Sequence, residues 1–467
     1  MKANAAFSRR GFVASAASAA LWPVMARATP ANPDVIVIGA GAAGIAAARR
    51  VIAGGKTVVV IEAADRIGGR AYTETKSFGV PFDRGCSWLQ GPRNGVPHVA
   101  LARDLGFTLV DHDDAGEALY IGDRPASAAE LSNYYRAYDH IESRVYGTGD
   151  VSAASRIDAD FAYSATAQTW IGPLDFGVDF ADLSTGDMNS YGSYAYNYLV
   201  KEGLGTLVAE HAQGLPIRTG VTVREIDWSG QGVRVQTTDG TISAAACIVT
   251  VSTGVLASDA IKFTPALPAE KSEAITEVPM GLLTKIALQF DGERFGLNDN
   301  DFLTYAVPNV VPAEACFFLT WPAGIDVAVG FVGGEFGWNL SRASEAEAVD
   351  FALGEFTNMM GSSARNHFIK GIMTDWATNP LTLGAYAAAK PGRFASRRTL
   401  AEPLGDRVFF AGEAVAGRYK ALMSGAHLSG DAIAGEVINV LGGPGVCNSC
   451  EARADQRQRM LEVLSDE

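Results

Sequence analysis

Three glycines in Gly39-Ala-Gly41-Ala-Ala-Gly44 and a carboxylate at Glu62 are the first residues whose spacing points to chemistry. In such a pattern the first glycine permits a tight turn and the second lets backbone approach a pyrophosphate. The third lets a helix pack closely on a strand, and the helix N-terminus attracts the phosphates. An acid 18 residues after the last glycine can accept hydrogen bonds from a ribose diol. The motif alone reads as dinucleotide binding without separating FAD from NAD. That choice falls to the continuation, Glu62-Ala-Ala-Asp-Arg66-Ile-Gly68-Gly69-Arg70, where a second glycine pair and an arginine follow at once. Cys447-Asn-Ser-Cys450 has the other notable spacing, but with no second pair and no nearby histidine it makes a poor zinc site. A local disulfide or two idle thiols suits it better than a redox pair.

The elements around the glycines are those such a site needs. Val35-Ile-Val-Ile38 is an apolar run of strand length, residues 45–53 form a helix, and residues 57–61 make a second strand that ends at Glu62. Residues 101–199 read as helical and irregular, with many tyrosines that are mostly core or rim. Strands follow around Ile217, Val221, Val223 and Ile226, then a hairpin through Val233 and Val235 that turns at Asp239-Gly240. Residues 247–251 read as a buried strand and 263–400 as a mixture of strands and helices. Val408-Phe-Phe-Ala-Gly412-Glu413 is a strand running into a glycine turn, and a small-residue helix spans about 425–441. Nucleotide-binding features thus lie at both ends of the chain. The expected fold is α/β, two-lobed in an α+β manner: a Rossmann-like lobe from residues 34–100, 203–262 and 401–442, interrupted by a substrate lobe from 101–202 and 263–400, with a tail over 443–467.

Composition narrows the class. The 467 residues are 48% hydrophobic and 19% charged, enough for two or more cored lobes and incompatible with disorder or a fibre. The balance of 52 acidic against 38 basic residues speaks against a general nucleic-acid binder, because phosphate neutralisation needs a basic face. The N-terminus reads as an address. Ser8-Arg9-Arg10-Gly11-Phe12 precedes an alanine-rich apolar run over 13–25, and Ala26-Arg27-Ala28 gives a cleavage pattern: a twin-arginine export signal over residues 1–28. The apolar run is too short to span a bilayer, and no later stretch approaches about 18 uninterrupted apolar residues. The expected product is periplasmic or secreted. Loss of Lys2, Arg9, Arg10 and Arg27 would take the net charge from −14 to −18. Export of already folded chains by this route fits a protein that takes up a cofactor in the cytoplasm.

In five motifs the chain resembles the flavin-containing amine oxidases, the group of monoamine, polyamine and spermine oxidases and histone lysine demethylases. They are residues 39–70; Asp83-Arg-Gly85-Cys-Ser-Trp88-Leu-Gln-Gly91; Gly281-Leu-Leu-Thr-Lys285-Ile; the stretch from Trp376 through Gly384-Ala-Tyr386 to Pro391-Gly392; and Phe410-Ala-Gly412-Glu413 with Gly425-Ala426. The resemblance implies FAD, with Gly39, Gly41 and Gly44 at the pyrophosphate and Glu62 at the adenosine ribose. Gly69 and Arg70 would lie near the phosphates and ribityl chain, Val223 would offer backbone to the adenine, Gly412-Glu413 would meet the ribityl hydroxyls and Met423 the flavin ring. Lys285 would face flavin N5 through a water, where a fixed cation stabilises the anionic state met when reduced flavin reacts with oxygen. Tyr386 would form one wall of an aromatic cage. Its apolar slot favours the neutral amine that donates hydride.

Departures from the family refine what it implies. Leu422 stands where monoamine oxidases have the second cage tyrosine, with Tyr419 three residues earlier, a pattern closer to spermine oxidases and demethylases. Ala385 replaces the cysteine that carries covalent flavin, so the FAD is expected to be non-covalent. Gln90 replaces a histidine of spermine oxidases, and Ala64 stands where an arginine often follows the ribose acid. Trp321 and Trp338 are candidate pocket walls or core residues alike. The implied reaction is hydride transfer from an amine to flavin N5, imine hydrolysis to a carbonyl, and reoxidation by oxygen to give peroxide. A polyamine leads as substrate, from Leu422 and the acidic chain. A monoamine or a cyclic amine such as an alkaloid follows, and then an L-amino acid, for which no arginine clamp can be placed. A periplasmic electron acceptor in place of oxygen and a homodimer both stay open. So do a desaturase or porphyrinogen oxidase and a non-catalytic flavoprotein, against which Lys285 and Tyr386 speak.

Overall fold

A computed structural model describes residues 32–158 and 161–442. The proposed export signal and the tail with Cys447 and Cys450 lie outside the described residues. A parallel five-stranded sheet is assembled from remote segments, in the order Ile217–Arg218, Val58–Ile61, Val35–Ile38, Ala246–Val249 and Val408–Phe410. Its strands read as continuous apolar runs because both faces are covered. Side chains alternate along a strand. Val35, Val37, Val58, Val60 and Ile248 therefore pack with the helices Ala42–Ala53, Leu204–His211 and Met423–Val440. Ile36, Ile38, Val59, Ile61 and Val249 face a smaller sheet instead, meeting Val223, Ile226, Val233 and Val235. That sheet contains Val223–Asp227 and the hairpin Val233–Thr237 with Gly240–Ala244.

The other lobe is built on a seven-stranded sheet, in the order Phe368–Met373, Leu283–Phe290, Val327–Gly333, Phe317–Thr320, Phe302–Tyr305, Glu117–Ile121 and Arg124–Pro125. The strand alternation is again decisive. Ile286, Leu288 and Phe290 pack beneath the helix Glu345–Met360 in a core that holds Phe318, Trp321 and Phe356. Lys285 shares parity with Ala287, whose face packs against Phe317, Phe331, Phe78 and Leu174. The lysine thus turns away from the helix-covered core. The α/β two-lobed expectation holds. Two of the seven strands, Glu117–Ile121 and Arg124–Pro125, come from the stretch read as helical and irregular. Glu117–Ile121 pairs in parallel with Phe302–Tyr305, a partner remote in sequence that local pattern does not reveal.

Candidate active site

Both lobes line one cavity of about 1060 Å³, at the upper end of the roughly 300–1,000 Å³ typical of ligand pockets. Its wall includes Gly39, Gly41, Glu62, Gly69, Arg70, Val223, Gly412, Glu413 and Met423 from one set of motifs. Gln90, Lys285, Tyr386 and Leu422 come from the other. Gly44 lies behind the wall. A Cβ there would meet the Gly39 carbonyl oxygen at 1.9 Å, so the helix reaches the strand only because the residue is glycine.

The residues present fit a dinucleotide. The helix Ala42–Ala53 opens on Gly41 with neither a side-chain cap nor an acid in its first turn, and its leading residues border the cavity. Its first N–H groups therefore remain for an anion. Glu62 accepts from the Ala40 N–H at 2.7 Å through Oε2 and from the Ala64 N–H at 2.8 Å through Oε1. A carboxylate offers about four lone-pair sites, so each oxygen keeps capacity for a ribose hydroxyl. Arg66, four residues after Glu62, also lines the cavity, donates to Gly69 O at 2.8 Å and lies over the Tyr72 ring at 3.9 Å. Glu413 is buried. Its Oε1 accepts from Arg70 at 2.8 Å and from the Ala387 N–H at 3.0 Å, and Oε2 accepts from the Ala421 N–H at 3.2 Å. Arg70 also donates to Ala385 O at 2.8 Å, tying the glycine turn to the strand that carries Tyr386.

Lys285 is buried, and its three ammonium hydrogens go to Asp83 O (2.8 Å), Gly85 O and Ser87 Oγ (2.7 Å). Burial pushes its pKa down to about 8, with the Asp83 charge pulling the other way. A water contact from Nζ would displace one of these three partners, and Ser87, whose hydroxyl can rotate, is the one free to yield. Asp83 in turn accepts from Thr73 Oγ1 and from the Leu204 and Gly205 N–H groups, capping a helix that has no side-chain cap of its own. The lysine and a helix of the flavin lobe are thereby braced through one short segment. Cys86 also lines the cavity, and burial pushes its thiol up to about 12, so it stays protonated.

Tyr386 sits in the short strand Tyr386–Ala387, paired with Met280–Gly281, and its hydroxyl donates to Leu174 O at 2.9 Å. That carbonyl belongs to a π-helical turn, Trp170–Phe176, with Pro173 inside it. Gly177 ends the turn at φ 71°, and a Cβ there would come within 3.1 Å of the Tyr386 ring. The turn sends Trp170, Leu174, Asp175 and Phe176 to the cavity. The open surface of Asp175 lies on the cavity wall, and its Oδ2 accepts from Tyr138 at 3.2 Å. Enclosure by protein pushes its carboxyl up to about 7; the Tyr138 hydrogen bond opposes this and nearby Glu142 adds to it. Glu142, Tyr138, Tyr146, Tyr191 and Tyr194 line the same region. None of these was singled out from sequence, because a π turn carries no helical period and the tyrosines stood among others without distinction.

Tyr419 requires a correction. It is buried and is not part of the cavity wall. Its backbone packs so tightly on the helix Met423–Val440 that a Cβ at Gly425 would meet its carbonyl oxygen at 1.8 Å. Tyr191 and Tyr194 line the cavity instead. Trp321 is fully buried in the core under the seven-stranded sheet, and Trp338 packs beside Leu282 and Trp376, so neither is a pocket wall. Trp88, Trp170 and Trp376 are.

The family model for flavin-containing amine oxidoreductases matches residues 42–125 and 107–438. Polyamine oxidase 4 of Oryza sativa subsp. japonica is 31% identical over 461 residues, covering 89% of this chain and 91% of the relative. Lysine-specific histone demethylase 1 homolog 1 of the same plant is 30% identical over 87% of this chain but 52% of its own length. A solved putrescine oxidase bound to putrescine shares the fold with a TM-score of 0.72, at 20% identity over 87% of this chain and 99% of that one. The chain belongs to the flavin-containing amine oxidoreductases, enzymes that act on amines with FAD as cofactor.

Proposed function

We propose that the enzyme oxidises a diamine or polyamine, taking the substrate class from the acid at Asp175 beside the cage tyrosine. The relatives named polyamine oxidases support the same class. Overall, amine, water and dioxygen give a carbonyl compound, the released amine or ammonia, and hydrogen peroxide. FAD, held non-covalently beside Ala385, supplies the acceptor for the hydride from the C–H bond next to nitrogen. The reacting nitrogen must be neutral, which the apolar surface of Tyr386, Leu422, Trp376 and Phe331 favours. A second, remote nitrogen is best held as ammonium. Asp175 directly follows the residue whose carbonyl anchors Tyr386, so one turn sets both the slot for the neutral amine and the anion for the charged one.

The test compares a diamine and a triamine with benzylamine by peroxide release. A charged hydrogen bond contributes about 1.5–3 kcal/mol, roughly 10- to 100-fold. Asp175→Asn should raise KM for the diamine and triamine by about that factor and leave benzylamine within about twofold. Equal losses on all three substrates would remove Asp175 from recognition. In the wild type, KM for the diamine should fall as pH rises through about 7, where Asp175 becomes ionised; Asp175→Asn should lose that step. We further propose that the chain is exported through the signal read in residues 1–28, with Arg9 and Arg10 as its recognition pair.

A further inference from the structure

Three of the six histidines in the chain converge at a place the amine chemistry does not use. His98 opens the helix His98–Asp104, His211 closes Leu204–His211, and His427 lies early in Met423–Val440. Their ring centroids are 5.0, 5.1 and 5.3 Å apart, and one ring nitrogen of each lies within 4.8 Å of those of the other two. None of the three lines the cavity. His98 is fully buried and neither of its ring nitrogens has a hydrogen-bond partner; Nδ1 of His211 and Nδ1 of His427 are buried and unpartnered as well. A buried polar atom normally finds a partner, because it has given up water to be there. Four unpartnered nitrogens in one cluster are therefore a structural anomaly that hydrophobic side chains would have avoided.

We propose that His98, His211 and His427 form a three-imidazole site for a divalent transition-metal ion, with zinc as its occupant, joining three helices of the flavin lobe. Burial is the main force keeping the rings neutral, joined by Arg49 at His211, by His211 and Arg49 at His427, and by His427 and His211 at His98: His211 is pushed down to about 4, His427 to about 3, and His98 well below its usual value. Each ring thus has the lone pair a ligand needs. Neutral imidazoles without thiolate or carboxylate suit zinc, copper or nickel rather than calcium or magnesium. Three protein ligands with a water in the fourth position is an established zinc geometry. With Zn–N of about 2.0–2.1 Å, its nitrogens would close to about 3.4 Å apart, a modest side-chain adjustment. Arg49, which donates to His211 O at 2.6 Å and Gln213 O at 3.1 Å, stands beside the cluster and moderates the affinity for a dication.

The test uses the FAD-loaded enzyme after chelator treatment. Titration with zinc should saturate at one equivalent per chain and raise the melting midpoint. Cobalt(II) should give the visible bands of a low-symmetry four-coordinate centre, which zinc then bleaches. His211→Gln, at the half-buried position, should keep the flavin absorbance but weaken zinc binding by more than the roughly 10- to 100-fold typical of losing an outer partner. The control His140→Gln/His367→Gln should bind as the wild type does. Absence of one-equivalent binding in the wild type overturns the proposal whatever the variants do. So does unchanged affinity in His211→Gln, or a loss in the control equal to that in the variant.

Discussion

Lys285 holds its ammonium in a buried position by giving every one of its hydrogens to the segment 83–87. With a pKa near 8, it is largely charged at neutral pH and loses that charge as pH rises. We expect Lys285→Met to retain FAD by absorbance while the flavin, reduced by substrate, is reoxidised by oxygen about 10²-fold more slowly, a typical cost of removing one electrostatic stabiliser. Stopped-flow mixing with oxygenated buffer measures it. The wild-type rate should fall above about pH 8 and the variant should show no such step; an unchanged rate in Lys285→Met would exclude the lysine from the oxidative half of the cycle.

At the scale of elements, the surface beside Tyr386 is held from behind by a buried ion pair. Arg397, on the short helix Ser396–Ala401, meets Asp187 with two 2.7 Å hydrogen bonds and also donates to Ala387 O and Ala414 O, each next to a site residue. Asp187 further accepts from the Ala389 N–H at 2.7 Å. Burial raises the Asp187 pKa, but the Arg397 charge and hydrogen bonds outweigh it, so the net shift is downward. A lowered carboxylate pKa gives stability that is present above the unfolded value of about 3.8–3.9 and lost as pH falls through the folded value. Asp187→Ala leaves the guanidinium buried and unpaired and should cost about 3–5 kcal/mol in denaturant unfolding. Its stability should also lose the acid-side dependence that the wild type shows; a variant within about 1 kcal/mol of wild type would show the pair to be dispensable. Sequence gave no hint of this brace, since its two halves are 210 residues apart.

For the whole molecule, the question is where it works. If residues 1–28 direct export, a protein already folded around FAD crosses the membrane, and the enzyme outside carries the more negative charge. Replacing Arg9 and Arg10 by lysine should leave the flavoprotein in the cytoplasm, uncleaved and active, as fractionation with an activity assay would show. Periplasmic activity undiminished by the double substitution would refute export by this route. Among the described residues no helix is long and apolar enough to cross a membrane.

The sequence by itself determined the first glycine turn and the acid that follows it. Gly39, Gly41, Gly44, Glu62 and the strands beside them are near neighbours in the chain, and their work is local: a turn, a helix end and an adjacent strand. Lys285 is marked by its motif alone, because its strand is buried at most positions and alternation does not single the lysine out. Tertiary structure decided the amine-facing half beyond Gln90, Tyr386 and Leu422, which their motifs mark. Asp175 reaches the cavity through an irregular turn, Tyr191 and Tyr194 line the cavity where Tyr419 does not, and Asp187 finds Arg397 across 210 residues. His98, His211 and His427 likewise come from three helices with no common spacing. Periodicity encodes which face of an element is buried, but not which remote element will cover it, and these groups acquire their chemistry only from that cover.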